Sequence, residues 1–372
     1  MFGGNLLISP ARTANKALRT VSEPITCMCA KYRTGWNIFY PMAAKLAGIA
    51  TYTLRRFSST PRRFLITGAG GQLGNEFSKA LRSKFGVENV ICTNIMGSPS
   101  DSWRTEGPSE YLDVSDRPEF MRVVMNNKVT HIIHFAAMLS VLSELNPAAS
   151  MKVNMHGVEN ALEVAAATKA SIFIPSSIAA FGPSTPRNKT PDMTVQRPTF
   201  LYGVSKVYAE LLGEWYSRVK KVDFRSLRYP GVVSWRSPPG GGTTDWACES
   251  YFKAVLPEAK HTCFVKMDTR MPMIYIDDVV EGTLKFLSAD NAKLSQRVYN
   301  MNGCSFTPGE QAESIRRHVP RFSQSYAPDF RQNIADSWPE SLDDSKARSD
   351  WNWDPKYGLS EITEEMLENL TL

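Results

Sequence analysis

Short apolar runs alternate with longer amphipathic segments from about residue 62 of this chain. The runs have the length of buried parallel strands, and they fall at 64–66, 90–92, 129–135, 171–175 and 224–229. A helical pattern through Phe77 and Leu81 follows the first run, and others fit between the later runs at 118–126, 148–168 and 206–219. Strands that alternate with helices in this way predict an α/β fold with a doubly wound parallel sheet.

The pattern changes after Pro230. Prolines and glycines at 237–242 are typical of a loop. Mixed elements follow, and a helical stretch at about 274–290 is expected to return to the first domain. We therefore expect a main domain over 62–230 and a smaller C-terminal lobe over 231–372.

Charge is concentrated at the N-terminus. The whole chain of 372 residues has a formal charge of +6, but residues 1–57 alone hold eight basic side chains and the single acid Glu23. The remainder is close to neutral and gives no electrostatic case for binding nucleic acid. Because residues 1–57 are rich in Ser, Thr and Arg, they predict a mitochondrial targeting segment, with a disordered basic tail as the alternative. Pro41 and Lys45 interrupt the apolar stretch 36–54, so no membrane span is expected.

The cysteines and histidines are scattered. None of the six cysteines or five histidines has the paired spacing of a zinc site, so no metal is predicted. Free thiols indicate a reducing compartment.

A glycine-rich turn, Thr67 to Gly74, lies between the first strand and the first helix. The order strand, G-x-x-G-x-x-G, helix places backbone N–H groups and a helix N-terminus against a pyrophosphate. A purely structural glycine turn is the alternative. The dinucleotide site would comprise Gly68, Gly71, Gln72, Leu73 and Gly74, which makes 62–230 a Rossmann-type domain.

The end of the second strand carries Asn94 where an acid usually holds the adenosine ribose. An amide can still bond a hydroxyl, and no arginine follows at 95–97 to hold a 2′-phosphate. This pattern favours NAD over NADP. Asp113 and Val114 could meet the adenine, or Asp113 could simply form a turn. Small residues at Ala136 and Ala137 would let the backbone approach the cofactor, whereas His134 is expected to be structural.

Ser177, Tyr202 and Lys206 are the predicted catalytic residues. Tyr202 and Lys206 are four positions apart and share one helix face. The ammonium and the charge of the bound cofactor would together lower the pKa of the phenol towards about 7–8, a range useful to a general base. Ser177 ends a strand at the edge where such sheets bind ligands, and its hydroxyl could bond a substrate oxygen. This triad predicts hydride transfer at an alcohol carbon.

These motifs together resemble the extended short-chain dehydrogenase/reductase superfamily from about residue 62 to the C-terminus. Asn154, Gly157 and Asn160 and the run Arg228-Tyr229-Pro230 add to the resemblance. Within that superfamily, several stretches are similar to the short-chain L-threonine 3-dehydrogenases, relatives of the UDP-galactose 4-epimerases. They are 175–183, 186–188, 228–231, 240–245 and 270–275.

The resemblance implies NAD-dependent oxidation of the C3 hydroxyl of L-threonine to 2-amino-3-ketobutyrate, which a CoA-dependent ligase would consume. Tyr202 and Ser177 would contact the hydroxyl, and Thr243 and Thr244 would line the substrate pocket of the 231–372 lobe. Ser140 and Arg187 would either touch substrate or hold the active-site loop. The resemblance also implies cofactor contacts from Asn154 and Pro230, and a homodimer formed partly by the Tyr202 helix.

Two other functions remain open from the sequence. A sugar-nucleotide epimerase or dehydratase would share every cofactor residue, but it needs contacts for a diphosphate and a uridine. Such motifs are not evident at 234–266. A non-enzymatic scaffold would be expected to lose the tyrosine–lysine pair, and both residues are present.

Overall fold

The computed structural model describes residues 61–98 and 101–371. These residues belong to one compact unit, Thr60–Leu372. The predicted targeting segment 1–57 lies outside the described residues.

An eight-stranded parallel sheet forms the centre of this unit, in the order β11-β7-β5-β4-β1-β2-β3 with β6 beside β7. The chain runs outwards from β1 in one direction and from β4 in the other, so the sheet has a switch point between them. The predicted doubly wound fold is confirmed. The strands are β1 (Phe64–Thr67), β2 (Val90–Asn94), β3 (Ser109–Tyr111), β4 (His131–His134), β5 (Ser171–Phe173), β6 (Ser176–Ser177), β7 (Phe224–Tyr229) and β11 (Val298–Asn300).

Helices cover both faces of this sheet. The apolar run of β1 is buried throughout because Phe64 and Ile66 pack into one cluster and Leu65 packs into another on the opposite face. The helices up to β7 are α1 (Gln72–Phe85), α2 (Ser102–Thr105), α3 (Arg117–Asn126), α4 (Ser140–Leu145), α5 (Pro147–Met151), α6 (Gly157–Thr168) and α7 (Leu201–Lys220). A π-turn, Lys152–His156, joins α5 to α6.

The chain after Pro230 builds two small sheets and then returns to the large one. Strands β8 (Gly231–Val233), β10 (Met271–Tyr275) and β12 (Cys304–Phe306) form one small sheet, and β9 (Lys260–Cys263) and β13 (Ser323–Tyr326) form the other. The helices of this region are α8 (Trp246–Ala254), α9 (Ile276–Ser288), α10 (Pro308–His318), α11 (Arg331–Asp336), α12 (Ser345–Trp351) and α13 (Leu359–Thr371).

Helix α9 supplies Val279 and Phe286 to the same cluster as Phe64. The sequence pattern missed β11, which extends that sheet beside β7. The division into domains at 230 stays a prediction, because these elements cross it.

Candidate active site

The glycine turn after β1 is close-packed on the loop after β4. Gly68 has φ +69°, and a Cβ there would lie 2.7 Å from the backbone nitrogen of Ala136. At Gly74, a Cβ would come within 2.2 Å of the Gly68 carbonyl oxygen. Gly71 precedes α1 without a side-chain cap, so the first N–H groups of the helix are left for an anion. The residues of this turn therefore fit the pyrophosphate of a dinucleotide.

Asn94 lies against this turn, at the end of β2. Its Nδ2 donates to the Met96 carbonyl oxygen at 2.6 Å, and a Cβ on Gly70 would lie 2.4 Å from the same nitrogen. A cation that the sequence pattern did not predict contacts the stretch 95–97. Arg104 of α2 donates to the Gly97 carbonyl oxygen at 3.2 Å, but it comes from the next helix and not from 95–97.

Asp113 adopts the turn role that the sequence left open. Its carboxylate accepts from the Ser115 hydroxyl at 2.7 Å and from the Ser115 N–H at 2.9 Å. The Ser115 hydroxyl bond holds the pKa of Asp113 below its usual value. Neighbouring Val114 is buried, and Gly157 gives it room, since a Cβ there would lie 2.9 Å from its methyl group.

Asn154 holds the loop that follows β4. Its Oδ1 accepts from the Met138 N–H at 2.8 Å, and its Nδ2 donates to the Met138 carbonyl oxygen at 3.0 Å. In the same loop, the Ala136 N–H donates to the Thr67 hydroxyl at 3.3 Å. Ala137 lines the central cavity. Asn154 does not, so its effect on a bound cofactor would pass through the loop.

A cavity of about 330 Å³ connects the glycine turn to the tyrosine–lysine pair. Residues far apart in sequence meet there because the glycine turn, the end of β6, the start of α7 and the loop after β8 all lie at the same edge of the sheet. From the predicted sites it collects Gly68, Gly71, Gln72, Leu73, Gly74, Ala137, Ser140, Ser177, Tyr202, Lys206, Pro230, Thr243 and Thr244. Trp338, which the sequence pattern does not predict as a site residue, also lines the cavity.

Tyr202 and Lys206 lie in the first two turns of α7. The Lys206 ammonium is 5.3 Å from the centroid of the Tyr202 ring and donates to the Pro175 carbonyl oxygen at 2.8 Å. Burial lowers the pKa of Lys206 to about 8, against the opposing charge of Glu210.

The pKa of Tyr202 differs from the sequence prediction. Burial raises it to about 12, and the hydrogen bond with Ser177 only partly offsets that rise. The predicted value of about 7–8 also counted the charge of bound NAD, so it stays a prediction for the protein with its cofactor. Helix spacing showed that the two side chains meet, but it could not show how much solvent the phenol loses.

Glu210 lies one turn after Lys206 on α7 and holds other side chains next to the site. This buried carboxylate accepts from the Arg228 guanidinium at 2.7 and 2.9 Å, from Gln196 at 2.9 Å and from the Ser176 hydroxyl. The sequence reading missed Glu210, although its spacing from Lys206 places it on the same helix face.

Ser140 and Thr243 face each other across the cavity wall. Their hydroxyl oxygens are 3.3 Å apart and both side chains are buried. Arg187 lies elsewhere, where it donates to the Trp338 carbonyl oxygen at 3.1 Å and pairs with Glu340 at 3.3 Å. Of the two alternatives for Arg187, its position favours holding the loop that presents Trp338.

The sequence profile of the NAD dependent epimerase/dehydratase family matches residues 64–301, more than half of the chain. This chain belongs to that family.

Similar proteins indicate which group within the NAD dependent epimerase/dehydratase family this chain resembles. A mitochondrial L-threonine 3-dehydrogenase of Bos taurus is 46% identical over 307 residues, which cover 82% of each chain. Among solved structures, the L-threonine dehydrogenase of Phytophthora infestans has a TM-score of 0.80 at 44% identity, covering 83% of this chain and 98% of its own. A monomeric L-threonine 3-dehydrogenase from a metagenome has a TM-score of 0.80 at 40% identity, covering 83% and 98%. The resemblance to the L-threonine 3-dehydrogenases is confirmed.

Membership of the NAD dependent epimerase/dehydratase family confirms the predicted NAD and the predicted enzyme class. The packed glycine turn and the uncapped N-terminus of α1 fit that cofactor. In the described parts of the chain, no group of three or more His, Cys, Asp or Glu side chains could hold a metal ion. None of the helices within residues 61–98 and 101–371 has both the length and the apolar character to cross a membrane.

Proposed function

We propose that this chain oxidises the C3 hydroxyl of L-threonine to 2-amino-3-ketobutyrate with NAD as the oxidant. The observation that carries the proposal is the single cavity that joins the glycine turn, the Ser177–Tyr202–Lys206 group and the Thr243–Thr244 loop. Relatives of 40–46% identity whose names give the same activity support it.

In the proposed reaction, Tyr202 as phenolate takes the proton of the C3 hydroxyl while the C3–O bond becomes a carbonyl. Bound NAD would accept the hydride from C3 and bring a positive charge near the phenol. Ser177 already contacts Tyr202 and so would hold the same substrate oxygen. Lys206 would stabilise the phenolate from below the ring.

The lining of the cavity suits a small zwitterion better than a sugar nucleotide. Ser140, Thr243 and Thr244 supply hydroxyl groups, and among the described residues that line it Lys206 is the one cation. A nucleoside diphosphate bound beside NAD would gain from further cations at its phosphates, because charge-assisted hydrogen bonds are the strong ones. Since Thr243, Thr244 and Trp338 come from 231–372, we keep that segment as the proposed substrate lobe.

The test is the formation of NADH by purified protein, followed by absorbance. L-threonine, L-serine, 3-hydroxybutyrate and UDP-galactose are compared at equal concentration. We expect L-threonine to give the highest kcat/KM. A protein that leaves NAD unreduced with L-threonine but epimerises UDP-galactose would instead be the sugar-nucleotide enzyme.

We also propose a homodimer formed through one exposed face of α7. Val204, Leu211, Trp215 and Val219 recur at helical spacing on that face and are 39–59% exposed. Helix α4 packs against α7 and adds Leu145, which is 74% exposed. A contiguous apolar surface of this kind marks an interaction site.

The test of the homodimer is sedimentation. A Leu211→Glu variant should sediment as a monomer where the wild type sediments as a dimer. A wild type that is itself monomeric, like the metagenome relative, contradicts the proposal.

For residues 1–57 we propose import into the mitochondrial matrix, supported by their basic composition and by the mitochondrial bovine relative. These residues fused to a fluorescent protein should direct it to mitochondria, and the same fusion with Arg55 and Arg56 changed to Gln should do so less efficiently. If the unchanged fusion stays in the cytosol, the proposed import is wrong.

In the mitochondrial matrix, a CoA-dependent ligase would consume the 2-amino-3-ketobutyrate.

A further inference from the structure

Arg236 joins the loop that carries the two threonines to the helix that receives the cofactor. The loop, residues 234–245, leaves β8 and enters α8. The guanidinium of Arg236 donates to Glu76 of α1 at 3.2 Å, and to Asp277 at the start of α9 at 2.5 and 3.3 Å. Both α1 and the 234–245 loop form walls of the central cavity.

Glu76 depends on this contact. Its side chain is buried, and its other oxygen, Oε1, has no hydrogen-bond partner in residues 61–98 or 101–371. A buried carboxylate that loses its cation keeps the cost of desolvation without the compensating attraction. The pair therefore favours the arrangement in which the loop lies against α1.

Arg236 anchors the first end of the loop. At the second end, the Asp245 carboxylate accepts from the N–H groups of Gly241 and Gly242 at 2.7 Å, and the Thr243 hydroxyl lies 3.3 Å from that of Ser140. Gly241 has φ +92°, and a Cβ there would meet no atom within 4 Å. Loss of the first anchor would lengthen the unsupported part of the loop.

We propose that Arg236 is a positioning residue that, through Glu76, holds the 234–245 loop against the cofactor helix and so sets the affinity for substrate. Asp277 orients the guanidinium but belongs to α9, which does not line the cavity. This inference rests on the proposed function only for its kinetic arm.

The kinetic arm compares Arg236→Gln, Arg236→Lys and Glu76→Gln with Asp277→Asn as the matched control. Arg236→Gln and Glu76→Gln should each raise KM for L-threonine about tenfold with kcat within about twofold, because no reacting group changes. Arg236→Lys should recover part of the loss, and Asp277→Asn should stay within about threefold of wild type. The double variant Arg236→Gln/Glu76→Gln should be no worse than either single variant.

The second arm needs no turnover. A protease of broad specificity is used, because Arg236 is itself a trypsin site, and cleavage within 237–242 is followed by mass spectrometry. Arg236→Gln should be cut about ten times faster than wild type in the absence of ligand. If threonine proves not to be the substrate, this arm still decides the role of Arg236.

Unchanged cleavage and unchanged KM in Arg236→Gln, with only a lower melting temperature, would reduce Arg236 to a structural contact. An Asp277→Asn variant as impaired as Arg236→Gln would place the anchor on α9 and overturn the role of Glu76. Should Arg236→Gln fail to fold, Arg236→Lys and Glu76→Gln carry the same comparison.

Discussion

Replacing Lys206 by methionine isolates the electrostatic part of the proposed mechanism. Methionine keeps an unbranched apolar stem in the space that the lysine occupies but removes the cation. In the structure that cation is buried, bonded to the Pro175 carbonyl oxygen at 2.8 Å, and 5.3 Å from the centroid of the Tyr202 ring.

The expected magnitude follows from that separation. The ammonium lies 5.3 Å from the centroid of the ring that would hold the negative charge. At about that distance, two unit charges interact by about 3 kcal/mol at an effective dielectric constant of about 20, which corresponds to a difference of about two in pKa. The cation stabilises the phenolate, so its removal raises the pKa of Tyr202. The rising limb of the pH profile belongs to the NAD-bound enzyme, in which the charge of the cofactor also favours the phenolate. Because the phenolate is the active form, activity lies above the pKa of that state, and the rising limb of kcat/KM at saturating NAD should move about two units to higher pH.

The assay is initial-rate NADH formation with L-threonine from pH 6 to about pH 11, with protein integrity checked by circular dichroism at each pH. In the wild type the limb belongs to the coupled Tyr202–Lys206 pair, since burial also lowers the pKa of Lys206 to about 8. Lys206→Arg keeps a cation and should keep most of the limb in place. A Lys206→Met enzyme that loses activity without any shift of the limb would refute an electrostatic role for this lysine.

Four further outcomes are expected. Tyr202→Phe should bind NAD as wild type does, by fluorescence titration, yet lose at least about 10²-fold in kcat because only the base is removed. Gly74→Ala should weaken NAD binding at least about tenfold in the same titration, since its Cβ would lie 2.2 Å from the Gly68 carbonyl. Glu210→Ala should lower the free energy of unfolding in urea by about 3–5 kcal/mol, because Arg228 is left buried without its partner. Asn94→Asp should lower the Kd for NAD several-fold through a charged acceptor for the ribose; equal Kd values would show that residue 94 does not reach it.

The features that the sequence predicted well are those that short stretches of chain encode. The apolar run before Gly68, the glycine spacing and the four-residue step from Tyr202 to Lys206 each lie within about ten residues. Local geometry alone brings these groups together. The strand–helix order then places them at one edge of the sheet.

The features that it missed depend on contacts between distant segments. Glu210 contacts Arg228 of a later strand, and Arg236 contacts Glu76 of the first helix, 160 residues earlier in the chain. Trp338 lines the cavity, and its carbonyl oxygen accepts a hydrogen bond from Arg187, which lies 151 residues earlier in the chain. The periodicity of apolar residues does not predict such pairs. The raised pKa of Tyr202 was missed for a related reason, since burial is a property of the whole packing.

The arrangement of charges behind the cavity explains how one lysine can serve the phenol. Glu210 lies one turn from Lys206 and could neutralise it, yet both of its oxygens are already bonded to the Arg228 guanidinium. Ser176 and Gln196 take further lone pairs of the same carboxylate. Since this carboxylate is already bonded, the Lys206 ammonium has only the Pro175 carbonyl as a hydrogen-bond acceptor among the described residues. Its charge is therefore left to act on an oxygen in the cavity that becomes negative, and the centroid of the Tyr202 ring lies 5.3 Å from the ammonium.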